Sequence, residues 1–375
     1  MADHDEVDGY RLRRSWEELQ ADVVARGRRL RRRRRVARAL PAAAVVVLAA
    51  TLVGVLALRD EQPVTVRTDP PRTSAGPAID TLPPLAFARV YDGGAGGSAL
   101  FVTEPEGSGL RRLTLDPSWG EGAPAWSPDG RWIAFDSQRD NPLRGVKTVI
   151  DVYLMRPDGS DVRRVTTTTE SGLGNGSQQP SWSPDGEQLA IVTGDTAGVA
   201  RIVVLRPDGS GARAITEGPG DVFPAWSPDG RWIAFQRRGF EIWLVRPDGT
   251  GAHRLATSDR ATRLTWTPDA RAVTFADGPD LVSVPVDGTA ARTVVSAGLG
   301  HQDTDAAWTA GGALLAYSSD PDGPYYVDIE PGRTVRTGGP GPAVIVLAEP
   351  GGPVRRTLTA PRRGDSDVNA TFAPR

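Results

Sequence analysis

Trp126-Ser-Pro-Asp-Gly130, Trp182-Ser-Pro-Asp-Gly186 and Trp226-Ser-Pro-Asp-Gly230 are near-copies of one pentapeptide, and Trp266-Thr-Pro-Asp269 and Trp308-Thr-Ala-Gly311 are its decayed forms. The tryptophans stand 56, 44, 40 and 42 residues apart, the spacing of a repeated supersecondary unit. After each comes an alternating run, as in Trp132-Ile-Ala-Phe135, Leu189-Ala-Ile-Val192 and Trp232-Ile-Ala-Phe235, which reads as a strand. A second turn follows a second short run: Arg156-Pro-Asp-Gly159, Arg206-Pro-Asp-Gly209, Arg246-Pro-Asp-Gly249 and Val286-Asp-Gly288. Each unit closes on a strand such as Arg164-Val-Thr166 or Ala214-Ile-Thr216.

The chemistry of the turn explains its recurrence. Proline presets φ for the second position of a reversal, aspartate bonds nearby backbone, and glycine accepts the left-handed exit. Two such reversals with a final strand make a four-stranded antiparallel meander, the size of a propeller blade. One blade cannot bury both faces, so radial stacking is expected to put the five tryptophans between blades as core. Five blades begin at those tryptophans, the fifth interrupted by an insertion near Pro321 to Gly341. Two half-units remain. Residues 85–114 supply three strands with no preceding tryptophan strand, and Val368 to Pro374 supplies one first strand, with Phe372 for tryptophan. Together they are expected to form a sixth blade that closes an all-β, six-bladed propeller over residues 85–375.

At these residues a family resemblance becomes specific. The Trp-Ser-Pro-Asp-Gly turn, the Ile-Ala-Phe strand and the Asp-Gly hairpin before Arg-Arg-x-Thr, repeated in order, resemble the TolB family of six-bladed propellers. The resemblance implies a protein-binding propeller. No α/β domain precedes the repeats, so a partner specific to TolB itself is not implied.

The region before the repeats has another character. Residues 1–40 hold twelve Arg and seven acidic residues, whereas 59–375 hold 32 basic and 39 acidic ones. Ala39 to Leu58 is a run of twenty uncharged residues, about the length of a membrane-spanning helix. Nine Arg between Arg26 and Arg38 place the amino terminus in the cytoplasm by the positive-inside bias. The expected order is a cytoplasmic Arg-rich segment (1–38), a transmembrane helix (39–58), a Pro-rich linker (59–84) and an extracytoplasmic propeller, held in the cytoplasmic membrane. The competing reading is a cleaved signal ending near Val55-Leu56-Ala57. Ser15-Trp16-Glu17-Glu18 has the form of a capping box, and the apolar stripe Leu12, Trp16, Leu19, Val23, Leu30 gives a short helix over 12–30. That helix lies on the membrane or meets a cytosolic regulator, a layout similar to that of anti-sigma-type proteins. The Arg run reads as topology and lipid attraction, not as a nucleic-acid site.

Catalysis finds little support. There is no Cys, and the three His are His4, His253 and His301. No Gly-x-Ser-x-Gly elbow occurs, and a triad needs a His within reach of its nucleophile. No cofactor is expected. Asp320-Pro-Asp-Gly323 and Asp303-Thr-Asp305 offer oxygen ligands for Ca²⁺, but a turn is the preferred reading of both. Binding is expected at the channel mouth, in the loops before each tryptophan: Asp116–Pro124, Glu170–Pro180, Glu217–Pro224, Thr257–Arg263, Ala297–Asp305 and Gly364–Asn369. The candidate contacts there are Glu121, Gln178, Asp221, Phe223, Arg263, His301, Asp303 and Asp367. The expected function is a binding or sensing module without its own catalysis, with another protein or a cell-envelope ligand at the mouth. A transmembrane signalling regulator and a propeller hydrolase or lactonase are the alternatives.

Overall fold

The computed structural model describes residues 82–374, apart from 92–96, 141–148, 168–175, 195–198, 259–262, 278–279, 290, 296–301, 313, 321–324, 331–332, 338–343, 349, 351–353 and 362–364. Six four-stranded antiparallel sheets make the fold. Blade 1 runs Gly122–Trp126, Ile133–Ser137, Asp151–Met155 and Arg163–Arg164, and blade 2 runs Gly176–Trp182, Leu189–Gly194, Ala200–Leu205 and Arg213–Ala214. Blade 3 is Asp221–Trp226, Ile233–Arg237, Glu241–Val245 and His253–Thr257; blade 4 is Thr265–Trp266, Ala272–Asp277, Asp280–Pro285 and Arg292–Val295. In blade 5, Gln302–Trp308 and Leu315–Asp320 are joined to Val344–Ala348 and Val354–Thr357 across the expected insertion, which folds as a separate hairpin of Tyr325–Glu330 and Arg333–Thr337. Blade 6 takes its inner strand, Ser366–Phe372, from the carboxy-terminal end and its other three, Leu85–Val90, Ser98–Thr103 and Arg111–Arg112, from the first described residues.

The turn motifs do more than reverse the chain. Ser127 Oγ donates to Asp129 Oδ1 at 2.6 Å and accepts from Trp132 N at 2.9 Å, while Asp129 Oδ1 also accepts from Arg131 N. The same network recurs at Ser183, Ser227 and Thr267. In the outer turn, glycine is demanded twice over. Gly209 has φ +85, and a Cβ there would lie 2.4 Å from the Val165 carbonyl of the preceding blade. The closing threonines also have a role: Thr114, Thr166, Thr216 and Thr359 each accept, through Oγ1, from a third-strand backbone N–H.

The core is divided among the blade junctions. Trp182, Trp226 and Trp266 are buried in apolar clusters that join neighbouring blades, and Trp126, Trp308 and Phe372 pack against the other three. Phe372 and Pro374 complete the pattern. Pro374 meets Gly130 as Pro128 meets Gly186 and Pro184 meets Gly230, so the last residues stand in for a Trp-Ser-Pro turn and close the ring. Among the described residues no helix is long and apolar enough to cross a membrane. The expected cytoplasmic segment, span and nearly all of the linker (1–81) lie outside the described residues.

Candidate functional site at the channel mouth

Every inner strand with a full ladder loses register just before its aromatic, between Gly122 and Ala125, Gln178 and Ser181, Val222 and Ala225, and Thr304 and Ala307. The residue three before the aromatic is left-handed: Ala123 (φ 45), Gln179 (φ 57), Phe223 (φ 56), Asp305 (φ 53) and Asn369 (φ 58). Such a bulge re-aims its side chain, and a non-glycine residue in this region costs about 1–2 kcal/mol. The same departure in five blades is therefore a built feature of the inner strands. Arg263 holds the corresponding position in blade 4.

These residues meet at one end of the central channel. Ala123, Gln179, Phe223, Arg263 and Asn369, with Asp136 from the second strand of blade 1, line a cavity of about 160 Å³. A hydrogen-bond chain fixes one side of it. Gln179 N donates to Asp136 Oδ2 at 3.0 Å, and Phe223 N donates to Gln179 Oε1 at 2.8 Å, linking blades 1, 2 and 3. Gly122 is glycine because a Cβ there would sit 2.9 Å from Asp136 Oδ1. Burial raises the pKa of Asp136, against the opposing effect of its backbone hydrogen bonds and of Arg263.

Arg263 crosses the channel. Its guanidinium donates to the Pro124 carbonyl at 3.1 Å, and blade 1 lies opposite blade 4 in a ring of six. It also borders a second cavity of about 220 Å³ deeper in the channel, among Trp126, Trp182, Trp226 and Trp266. Arg263 therefore stands between the mouth and the channel interior. Burial holds its pKa below the ordinary arginine value, while Asp305 and Asp136 act in the other direction. The mouth thus presents a cation flanked by two carboxylates, an amide at Asn369 and a ring at Phe223. Such a set can take a polar group of a ligand and pack an apolar one beside it.

Of the residues chosen from sequence, Phe223 and Arg263 line this cavity. Gln178 faces Val192 in the strand ladder, and its neighbour Gln179 takes the mouth position. Glu121, Asp221 and Asp367 are wholly buried, each paired with an arginine. The loops expected before each tryptophan are in part the inner strands themselves, so these acids sit inside the blades and not on solvated loops. Asp221 accepts two bonds from Arg237 at 2.7 and 2.9 Å, and Asp367 two from Arg89 at 2.6 and 2.8 Å. Glu121 pairs with Arg139. Each arginine also covers a ring: Arg237 lies 4.6 Å from the Trp243 centroid, Arg89 4.8 Å from Phe101 and Arg139 4.8 Å from Trp119. These pairs tie the start of the inner strand to its neighbour, two residues before each mouth residue, and so hold the mouth residues in place. Asp303 belongs to the blade 5 inner strand, opposite Ser319; His301 lies outside the described residues.

The sequence does not name Asp136, Gln179 or Asn369 as contacts, and it offers Asp305 only as an oxygen ligand. The last three share a signal, their place three residues before an aromatic. Asp136 had none, since it reaches the mouth only through the pairing of two strands. Among the described residues no group of three or more His, Asp or Glu is arranged to hold a metal. His253 is exposed and packs edge-on to Trp232 at 5.2 Å.

Comparison with known proteins agrees with this architecture. Residues 83–268 match the family model described as the TolB beta propeller domain. The structure resembles TolB from Acinetobacter baumannii, with TM-score 0.58 and 14% identity, covering 80% of this chain and 69% of that one. A chain of the nidogen/laminin complex gives TM-score 0.55 and 11% identity, over 77% of this chain and 98% of the other. By sequence, the chain is 35% identical over 68 residues to the uncharacterized peptidase YuxL of Bacillus subtilis. That match covers 18% of this chain and only 9% of the relative's length. With the repeat, the ring closure and the family match in agreement, this chain carries a TolB-type six-bladed β-propeller domain.

Proposed function

We propose that this chain is a membrane-anchored binding module, whose propeller stands outside the cytoplasm and receives a protein or another envelope ligand at the channel mouth, without catalysis of its own. The observation that carries the reading is the ring of left-handed inner-strand residues, which brings Gln179, Phe223 and Asn369 around Arg263. A strained position held by surrounding structure at a cavity is a mark of pre-organisation for binding. Ion pairs at the start of the inner strands supply that support. Residues 39–58 serve as the anchor, and the stripe at 12–30 is the place where a cytosolic regulator would attach.

The test is a photo-crosslinking amino acid placed at Phe223 in the full chain in its own cells, with the same group at Asp208 on the opposite end as a control. A discrete crosslinked partner at 223, absent at 208 and lost on Arg263→Ala, supports the reading. Equal labelling at both positions contradicts it. Labelling of intact cells with a membrane-impermeant reagent tests the topology: modification confined to the propeller is expected, and modification confined to residues 1–38 would reverse it.

A further inference from the structure

At the end of the ring away from the mouth, blades 1 and 3 share a side-chain arrangement that blade 4 lacks. In blade 1, Ile133 pairs with Met155 across the second and third strands, which sets Trp132 beside Arg156. The guanidinium of Arg156 lies 3.9 Å from the Trp132 ring centroid. Blade 3 repeats this with Trp232 and Arg246, at 5.1 Å, and adds the edge of His253. In blade 4 the same register pairs Ala272 with Pro285. An indole and a guanidinium are both missing there.

The space they leave is open. A cavity of about 620 Å³ lies at the junction of blades 4 and 5, lined by Pro268, Ala272, Pro285, Trp308 and Pro350. That volume falls within the ~300–1,000 Å³ of ligand sites. Its lining is mainly apolar, and the three prolines among its twelve residues stiffen that part of the wall, which loses little conformational entropy on binding. Asp269 and Arg271 stand at its edge. Asp269 is fixed by Thr267 Oγ1 at 2.7 Å, and the exposed Arg271 guanidinium faces it with Nε 4.0 Å from Asp269 Oδ2, a loose pair that leaves both charges open to a ligand. The edge is thus electrostatically complementary to an aromatic ring: the cation suits the ring face and the carboxylate suits an indole N–H.

We propose that this groove is a second interaction site, at which a protein partner inserts a tryptophan side chain where the repeat's own indole is absent. Blades 1 and 3 show that this position of the blade accepts an indole under a guanidinium, so the molecule supplies the template for its ligand. Trp308 forms one wall of the groove, and its Nε1 is already committed to Thr274 Oγ1 at 3.0 Å. The anchor is accordingly held by packing and by Arg271. The groove lies at the opposite end of the blades from Arg263 and does not depend on the mouth.

The probe is N-acetyl-5-fluorotryptophan amide, titrated into the full chain and followed by ¹⁹F NMR. Saturable binding is expected, weakened at least about tenfold by Ala272→Trp, which fills the groove from within. N-acetyl-leucine amide should compete poorly. The double variant Ala272→Trp/Pro285→Arg rebuilds the pair of blade 1 and guards against a misfolded single variant: it should melt no lower than the unaltered chain and bind as weakly as Ala272→Trp. Failure of the unaltered chain to bind the probe, or unchanged binding by the folded double variant, would overturn the proposal.

Discussion

Blades 3 and 4 are neighbours built on one plan, and they differ at nearly every position where the plan is most informative. Blade 3 keeps the Trp-Ser-Pro-Asp-Gly turn, the indole of Trp232 beside Arg246, and the buried pair of Asp221 with Arg237. Blade 4 has Ala270 in place of the turn glycine, Ala272 in place of the indole, and an exposed Asp277 in place of the arginine. Yet the two sheets have the same strand order and bury comparable aromatic core, with Trp226 and Trp266 both below 10% exposed. Strand alternation and the inter-blade aromatic are therefore enough to form a blade. The turn network and the arginine pairs add stability on top of that. Where the arginine pair and the indole are both missing, in blade 4, the chain has an arginine across its channel at one end and an open groove at the other, which fits the rule that local conflicts with the fold gather at functional places.

The two blades should differ most at the buried carboxylate of blade 3. Asp221→Ala removes a buried carboxylate that accepts two bonds from the part-buried Arg237 and should cost about 2 kcal/mol by urea unfolding, whereas Asp277→Ala at the equivalent end of blade 4 should stay within about 0.5 kcal/mol. Similar losses from both would mean that the pair is incidental. Outer-turn glycines give the next effect. Gly209→Ala must bear both the left-handed backbone and a contact 2.4 Å from Val165 O, but Gly288→Ala, in blade 4, meets nothing within 4 Å. The second should cost only the backbone preference of about 1–2 kcal/mol, and the first distinctly more. Ala270→Gly works in the other direction. Ala270 has φ 58, so glycine should raise stability by about 1 kcal/mol; a loss would show that this turn is held by something other than backbone strain.

The smallest effect is a pH dependence at the mouth. Burial raises the pKa of Asp136 in the folded state above its ordinary 3.8, so the folded chain binds that proton more readily than the unfolded one. Its contribution is fully present below the ordinary value and is lost as pH rises through the folded value. The stability of Asp136→Asn should therefore fall less than that of the unaltered chain as pH is raised from about 3.5 to 7. A steeper fall in the variant would reverse the sign of the argument.

How much of this could be read from sequence follows from the range of each interaction. The turns were legible because proline, aspartate and glycine act within five residues, and ring closure was legible because Phe372 and Pro374 repeat Trp-Ser-Pro in kind. Mouth residues were half legible. Phe223 and Arg263, expected in the mouth loops, line the cavity, but Gln179 stands there and not Gln178, because a bulge advances the strand by one residue and exchanges its faces. Glu121, Asp221 and Asp367 read from sequence as mouth contacts because nothing in the sequence pairs them with their arginines, which stand 16 and 18 residues away in two cases and 278 in the third. The groove was hidden, since an alanine and a proline announce nothing until they are seen to occupy the places of Trp232 and Arg246.

One closed ring supports both the mouth and the turn end, and residues 366–372 close it. The direct measurement is the thermal unfolding of the full chain against a form ending at Gly364. Loss of the inner strand of blade 6, with the Asp367 to Arg89 pair and Phe372, should lower Tm by more than about 10 °C and weaken crosslinking at residue 223 on the other side of the ring. An unchanged Tm with full crosslinking would contradict the claim.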